Sequence, residues 1–472
     1  MYVLHPVSKS YAWGSYHRLQ TMFHGRQASA GRVMTVNPVD IGQPLAEMWF
    51  SGHQQWPSMV EVPGRGPLPL TQAIRSDPEG MVGERDSEQF GPVLPYLLKI
   101  ISARMPLSMQ VHPVGFEARA GFNAENASGI AMDSPLRSFH DPVEKCEMVV
   151  ALEPFQASVG FASIPFMLHN LKLVDHPVAA TMVEALSRHL SLRGYVASTT
   201  DAFTDAEALM PDSASVWPES RRQVFRAFYT AITAGPTSGL VDALMAASEQ
   251  TTHARSQLAF RYAIAAARDF GDDPSVLGLL MMNPVELDEG ESVFIPAGTP
   301  HAYIHGTAVE IMTNSDNVLR AGMTVKHKDV THLLHTLDCR SSAPIDPAAT
   351  NLVSLIMRDI VVYKPGIDAF MLAYGHVDAG QRRWAMLDHL VHRYGRLVQH
   401  IGVDSAIPGS KGPRILVCTQ GAIRCSSPKD ERVLRCGEAV FIPADEGLVF
   451  IAALGDAMES ASGSFMVAST QV

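Results

Sequence analysis

The chain has 472 residues, 46% of them hydrophobic and 18% charged, with a formal net charge of −11. That composition excludes a disordered, solvating polypeptide and allows a large core; the length corresponds to about three domains or subdomains. The acidic balance argues against a nucleic-acid-binding surface, which needs a basic face, but leaves room for a small basic pocket. No run of about 18 apolar residues exists, so no membrane span is expected. The first residues, Met1-Tyr-Val-Leu-His-Pro, lack the basic and apolar regions of a secretory signal. Cys146, Cys339, Cys418, Cys425 and Cys436 are odd in number and follow no zinc-finger or disulfide spacing. A reduced, cytoplasmic compartment is the simplest expectation, and with no obligate interface signal the expected state is a monomer.

Residues 1–60 carry aromatic and Gly/Pro punctuation without helical periodicity. Pro92-Val-Leu-Pro-Tyr-Leu-Leu-Lys-Ile-Ile and Leu107-Ser-Met-Gln-Val-His-Pro read as two extended segments bounded by prolines. After about residue 165 the pattern changes. Val178, Met182, Val183, Leu186 and Leu190 recur at helical spacing, as do Val224, Phe225, Phe228 and Ile232, and 251–270 is Ala- and Arg-rich without Pro or Gly. The stretch 165–275 is expected to be a mostly helical insertion. From 285 short strands return, 340–350 reads as a linker, and the last 120 residues are again short strands with a loop at Pro408-Gly-Ser-Lys-Gly-Pro.

Leu287-Asp-Glu-Gly-Glu-Ser-Val-Phe-Ile-Pro-Ala matches Leu434-Arg-Cys-Gly-Glu-Ala-Val-Phe-Ile-Pro-Ala at eight of eleven positions, which implies a duplicated β unit. The copies then diverge. The first continues Gly298-Thr-Pro-His301 and the second Asp445-Glu-Gly-Leu448. One working site and one structural copy are the expectation. The first copy resembles the second signature of the cupin superfamily, in which a Pro-x-Gly turn presents a metal-binding histidine. The resemblance implies a mainly β fold with an α insertion: two cupin-type jelly-roll β-barrel units plus a helical domain. The expected division is 1–164 and 276–335 for a catalytic cupin domain in two parts, 165–275 for the helical insertion, and 336–472 for a degenerate cupin domain.

The residue types allow a metal site. Gln110 and His112, spaced i, i+2, share a face if extended. Glu147 begins another strand-like run, and His301 follows the Pro-x-Gly turn. Two imidazoles and two oxygens suit a borderline divalent ion, zinc first. A lone strand histidine is usually surface or satisfied core, so spacing alone leaves both readings open.

The motifs in order are Tyr11-Ala-Trp-Gly-Ser, Ala46-Glu-Met-Trp, Leu94-Pro-Tyr-Leu-Leu-Lys, Pro106-Leu-Ser-Met-Gln-Val-His-Pro, Gly121-Phe with Glu125-Asn, and Asp141-Pro with Lys145-Cys-Glu. Phe294-Ile-Pro-Ala-Gly-Thr-Pro-His-Ala-Tyr and Glu310-Ile-Met-Thr-Asn-Ser-Asp-Asn-Val-Leu-Arg-Ala-Gly-Met-Thr-Val-Lys326 complete the series. Together they resemble the type I mannose-6-phosphate isomerases, zinc-dependent members of the cupin superfamily, over roughly residues 1–330. The resemblance implies one zinc ion held by Gln110, His112, Glu147 and His301, and an active-site arginine at Arg320. Two departures are Cys146 before the zinc glutamate and Val325 before the last lysine, where the family usually has proline.

The implied reaction interconverts mannose 6-phosphate and fructose 6-phosphate through an enediol, linking fructose 6-phosphate to the supply of activated mannose. It needs an electrophile for the developing oxyanion and a base over two carbons. Asp316 and Glu310 are both candidate bases, and period-two reading does not separate them. Lys145 is a candidate catalytic cation, Ser108, Tyr303 and Lys326 are candidate substrate contacts, and Arg320 suits the enediolate or the phosphate. Trp13 and Trp49 read as packing residues, His140, His305 and His327 as structural or solvated, and Cys146 as small and buried. The helical insert is expected to support the barrel and control access. The rival readings are a non-catalytic sugar-phosphate-binding cupin, an isomerase for a related aldose, and an iron oxygenase, the last disfavoured by Gln110-Val-His112 where His-x-His is usual.

Overall fold

The computed structural model describes residues 1–24, 42–187, 203–347, 360–380, 384–394, 406–454 and 462–471. Leu190 and the end of the expected linker lie outside these. Its strands are β1 (Tyr2–His5), β2 (Val7–Lys9), β3 (Glu47–Ser51), β4 (Met59–Val62), β5 (Gly66–Pro69), β6 (Tyr96–Ala103), β7 (Met109–Val111), β8 (Glu147–Ala151), β9 (Phe155–Phe161), β10 (Met282–Leu287), β11 (Ser292–Ile295), β12 (His301–Thr313) and β13 (Leu319–Gly322). There follow β14 (Ile360–Tyr363), β15 (Met371–Asp378), β16 (Arg414–Ser426), β17 (Glu431–Arg435), β18 (Ala439–Ile442), β19 (Phe450–Ala453) and β20 (Ser462–Ser469).

They form two ten-stranded sheets of antiparallel neighbours. One runs β10-β9-β12-β6-β3-β2 and takes in β7, β8, β11 and β13; the other runs β14-β15-β20-β16-β18-β1-β4-β5 and takes in β17 and β19. The fold is the double cupin-type arrangement the repeat implies. The second sheet is not built from the C-terminal third alone. β1 pairs with β18, Tyr2 opposite Phe441, and β4 and β5 extend that edge. The N-terminal chain therefore laces the two units together.

An apolar layer fills the space between the units. Leu98, Ile100, Met148, Val309 and Ile311 from the first meet Val361, Leu372, Ile415, Val417 and Phe441 from the second, all buried. Each such side chain removed from water contributes about 1.5–3 kcal/mol. Polar contacts pin the same junction. Tyr363 Oη donates to the Gly290 carbonyl at 2.5 Å, and His389 Nε2 lies 2.9 Å from a Glu291 carboxylate oxygen.

The helices between 164 and 270 include Ile164–Leu173, Pro177–Ser187, Glu219–Thr233, Leu240–Glu249 and Ala254–Phe270. In Glu219–Thr233, Val224, Phe225, Phe228, Ala231 and Ile232 form the buried stripe, and i, i+3, i+4 spacing is what places them together. Their core also takes in Met109, Val111, Leu319, Ala321 and Met323 from β7, β13 and the following turn. Helix Arg18–His24 lies in the region without helical periodicity. It has seven residues and buries Leu19 and Met22, too short a stripe to show a period.

β12 is the strand that shapes the site. Its first part, His301 to His305, pairs with β9, and from Gly306 or Ala308 to Thr313 it pairs with β6 and β8. A register shift lies between Tyr303 and His305, and Gly306 has φ +117° with the Phe155 backbone so close that a Cβ would sit 2.5 Å from the Pro154 carbonyl oxygen. Bulges and glycines of this kind let one strand turn a corner and change sheets.

Candidate active site

β6, β7, β8, β12 and β13 converge on a cavity of about 530 Å³, a size suited to a small-molecule ligand. Gln110 on β7 is paired with both His301 and Arg320, so three residues far apart in sequence meet across neighbouring strands. Glu147 opens β8 opposite Met312 of β12. Gln110, Lys145, Glu147, Ser108, Tyr303, Glu310, Asp316, Arg320 and Lys326 all line the cavity. His112 and His301 lie behind this wall, 1% and 0% exposed.

The ligating atoms of His112, Glu147 and His301 all lie within 4.8 Å of one another. His112 Nδ1 is 2.8 Å from the Asn317 carbonyl oxygen, and His301 Nδ1 is 3.0 Å from that of Thr299. A carbonyl only accepts, so each Nδ1 donates and each neutral ring presents a bare lone pair at Nε2. These lone pairs face the two Glu147 oxygens at 3.0 and 3.3 Å, and both Nε2 atoms are buried without a hydrogen-bond partner. Lone pairs aimed at a carboxylate repel it unless a cation lies among them. The donor set, two imidazoles and a carboxylate with an amide beside them, fits a divalent transition metal such as zinc. The carbonyls behind the rings are the partners that orient metal-binding histidines.

Protonation agrees with that arrangement. Burial pushes His112 down to about 4, so the ring is neutral near pH 7. Burial alone would raise Glu147, but the charge of Lys145, whose Nζ is 3.1 Å from its Oε1, holds its carboxyl below the usual range. Metal ligands must be deprotonated to bind.

A second charged group lies beside the first. Lys99 Nζ is 3.2 Å from Glu310 Oε2 and 3.9 Å from Glu47 Oε1. Tyr303 Oη lies 2.7 Å from Glu310 Oε1 and 3.2 Å from Glu147 Oε2, its one proton between the two carboxylates, so Tyr303 ties the two groups together. Burial would lower Lys99, but Glu310 and Glu47 raise it. Glu310 is raised, chiefly by burial, against the opposing charge of Lys99. Asp316 behaves differently. Burial would raise it, yet His53, 3.3 Å away, together with Lys145 and Lys99, holds it low. Sequence reasoning missed Lys99 and Glu47, although both sit in the quoted motifs. Trp49, read as packing, and His140, read as structural or solvated, also line the cavity. Trp49 packs between cations, with Lys9 and Lys99 4.8 and 4.9 Å from its ring.

Toward the mouth, Arg320 and Lys326 have no carboxylate within 4 Å among the described residues, and burial lowers both. Met323 precedes Lys326 with φ +55°, the one non-glycine residue of positive φ among those described; such a conformation costs of order 1–3 kcal/mol and persists only when its surroundings hold it.

Fold and site together define a cupin-type barrel with a buried His/Glu/His cluster that could hold a metal ion, beside a substrate-sized cavity whose wall carries both cations and carboxylates. The family described as phosphomannose isomerase type I, catalytic domain, matches residues 1–164. Mannose-6-phosphate isomerase of Escherichia coli is 32% identical over 328 residues, covering 69% of this chain and 72% of its own. That of Salmonella typhimurium is 29% identical over 442 residues, covering 93% and 94%. A zinc-bound crystal structure of mannose 6-phosphate isomerase superposes with TM-score 0.71 at 25% identity, covering 100% of this chain and 99% of that one. The chain belongs to the type I phosphomannose isomerase family.

Proposed function

We infer that this chain interconverts mannose 6-phosphate and fructose 6-phosphate with one zinc ion as cofactor. The observation that carries the reading is the pair of buried, unpartnered Nε2 lone pairs aimed at one carboxylate beside a cavity whose wall holds both carboxylates and cations. Family membership supports the substrate, and the zinc-bound relative supports the metal. The division into a split catalytic cupin, a helical insertion and a degenerate cupin, with boundaries at 165, 276 and 336, is our working organisation. A cytoplasmic location is part of the same reading, supported by cysteines that follow no disulfide spacing; no helix among the described residues is long and apolar enough to cross a membrane. A monomer is the working assignment.

Gln110, His112, Glu147 and His301 would hold the metal, which supplies Lewis-acid stabilisation of charge developing on the sugar oxygens. In the forward direction a base takes the proton from carbon two; the electrons of that bond form the carbon one–carbon two double bond, and the aldehyde oxygen takes up a proton to become a hydroxyl, matched by the proton the carbon-two hydroxyl later loses. Return of a proton to carbon one and loss of the carbon-two hydroxyl proton give the ketose. Glu310 suits the proton carrier better than Asp316. Its carboxyl is buried and raised toward working pH, whereas Asp316 is held ionised by His53; a proton carrier works best with its pKa near the operating pH. Lys99 and Tyr303 hold the Glu310 oxygens in place. Arg320, on the strand beside Gln110, presents a fork to the sugar oxygens. Lys145 is committed to Glu147 and keeps it ionised. Lys326 and Ser108 would meet the phosphate.

The test is a coupled turnover assay on mannose 6-phosphate with metal analysis, before and after chelation and zinc return. Turnover lost with the metal and restored by zinc is the expected result. Activity indifferent to complete metal removal would overturn the metal's role, and no turnover by metal-replete protein would overturn the reaction.

A further inference from the structure

The loop that carries Lys326 is held from outside the barrel. Met323 N–H lies 2.9 Å from Asp273 Oδ2 and 3.0 Å from Ser275 Oγ. The other Asp273 oxygen accepts from Ser275 N at 3.0 Å. Ser275 is fully buried, and β13 comes so close to it that a Cβ on Gly322 would stand 1.9 Å from its Oγ. Asp273 stands three residues beyond the end of helix Ala254–Phe270, whose last residue, Phe270, itself lines the cavity.

We propose that Asp273 is a positioning residue for substrate affinity: it clamps the left-handed turn at Met323, and so fixes Lys326 at the mouth for the phosphate group. The inference rests on the reading of the cavity as a sugar-phosphate site. Its physical basis is local. A left-handed methionine is unstable on its own, and here the two acceptors on its amide hold the chain. The Met323 side chain is meanwhile buried in the helical core. From that pivot, Thr324 and Lys326 turn to the cavity, and Thr324 Oγ1 accepts from Lys326 N at 3.1 Å. Asp273 touches neither substrate nor metal ligand, so its effect passes through the loop. A fixed cation helps binding because little ordering remains to be done when the ligand arrives.

Asp273→Asn retains one acceptor oxygen and cannot serve both amides as the carboxylate does; Ser275→Ala removes the other acceptor on Met323. For Asp273→Asn the expected result is a rise in KM for mannose 6-phosphate of about tenfold with kcat within about twofold, and weaker inhibition by inorganic phosphate in proportion. Ser275→Ala raises KM less, and the double variant exceeds the product of the two, because Met323 N–H then competes with the amide N–H of residue 275 for the single remaining amide oxygen. Hydrogen exchange over 319–329 rises in both single variants while that of β6 and β12 stays unchanged. Unchanged KM and unchanged exchange in variants that merely melt earlier would overturn the proposal and reduce Asp273 to a structural cap. If the unaltered chain fails to turn over mannose 6-phosphate, the reaction reading falls. Calorimetric binding of inorganic phosphate to the zinc-loaded protein then decides the clamp: affinity lost in Asp273→Asn supports it, and affinity retained overturns it.

Discussion

The repeated segments Leu287–Ala297 and Leu434–Ala444 make the same local structure and lead to opposite interiors. Each turns at a glycine of nearly equal φ, +81° at Gly290 and +79° at Gly437, and each runs into a four-residue buried strand, β11 or β18. After the first, Gly298 turns the chain into β12 and delivers His301 to a cavity wall rich in charge. After the second, Ala444–Glu446 forms a single helical turn and Leu448 is left 53% exposed. The second unit buries an aliphatic cluster that includes Ile360, Leu416, Ile423, Val440, Ile442 and Val467, and its buried Arg414 donates to the Gly447 carbonyl. The scaffold is common to both units, and the site comes from a few polar side chains that only one interior accommodates.

Charge density inside the first unit gives the largest effects. Glu147→Gln removes the carboxylate that His112, His301 and Lys145 share. Bound zinc is expected to fall well below one per chain and kcat/KM to drop roughly 10³-fold, about 4 kcal/mol of lost stabilisation. Elemental analysis beside the turnover assay reads both. Full metal content with normal turnover would dissolve the contrast between the two interiors.

Lys99→Met comes next. It leaves Glu310 and Glu47 buried without their cation, and breaking a buried pair in this way costs about 3 kcal/mol. Burial already holds Glu310 above its ordinary value. The folded chain thus binds that proton more tightly than the unfolded chain, and this group's contribution to stability falls as pH rises through the folded value. Removing Lys99 lifts Glu310 further. The stability deficit relative to the unaltered chain is expected to be greatest near neutral pH and to narrow on acidification, as denaturant titrations across pH would measure. A deficit independent of pH would show that Lys99 acts by packing alone. Arg320→Lys is milder. It keeps the charge and loses the planar fork, so kcat/KM should fall by roughly 10- to 100-fold, about 1.4–2.7 kcal/mol, with unchanged melting; an unaltered rate would remove Arg320 from the reacting oxygens.

The contrast also separates what could be read in the sequence from what could not. The repeat, the helical insert and the family were legible, because each rests on local pattern or on motifs kept in order. His112, Glu147 and His301 were legible as candidates through those motifs, but their convergence is a property of strand pairing. Glu310 shows why. Counted in twos from His301 and Tyr303, it falls on the opposite face of the strand. The register shift before Gly306 restores it to the cavity, and no periodicity discloses such a shift. Lys99 was hidden for a related reason. It is the one charge in the buried strand Tyr96–Ala103, and only its partners across β3 and β12 make it chemically meaningful. Trp49 and His140 were judged one at a time as packing or solvated residues, and the wall they share exists only once the sheets are folded.

The smallest expected effect is the most direct test of the comparison. Leu448 occupies the position that His301 holds in the first copy. Leu448→His therefore gives the second unit the signature residue and nothing else. Among the described residues, no cluster of His, Cys, Asp and Glu able to hold a metal ion includes this position, and at a site 53% exposed the new side chain would sit in solvent. One ligand fixes neither geometry nor charge, so metal affinity does not follow from it. The variant should bind one zinc per chain, as before, with turnover unchanged and stability within about 0.5 kcal/mol, the range of surface substitutions. A second equivalent of tightly held zinc would show that the degenerate unit keeps a latent site, and that loss of one histidine, not the refilling of its interior, separated the two copies.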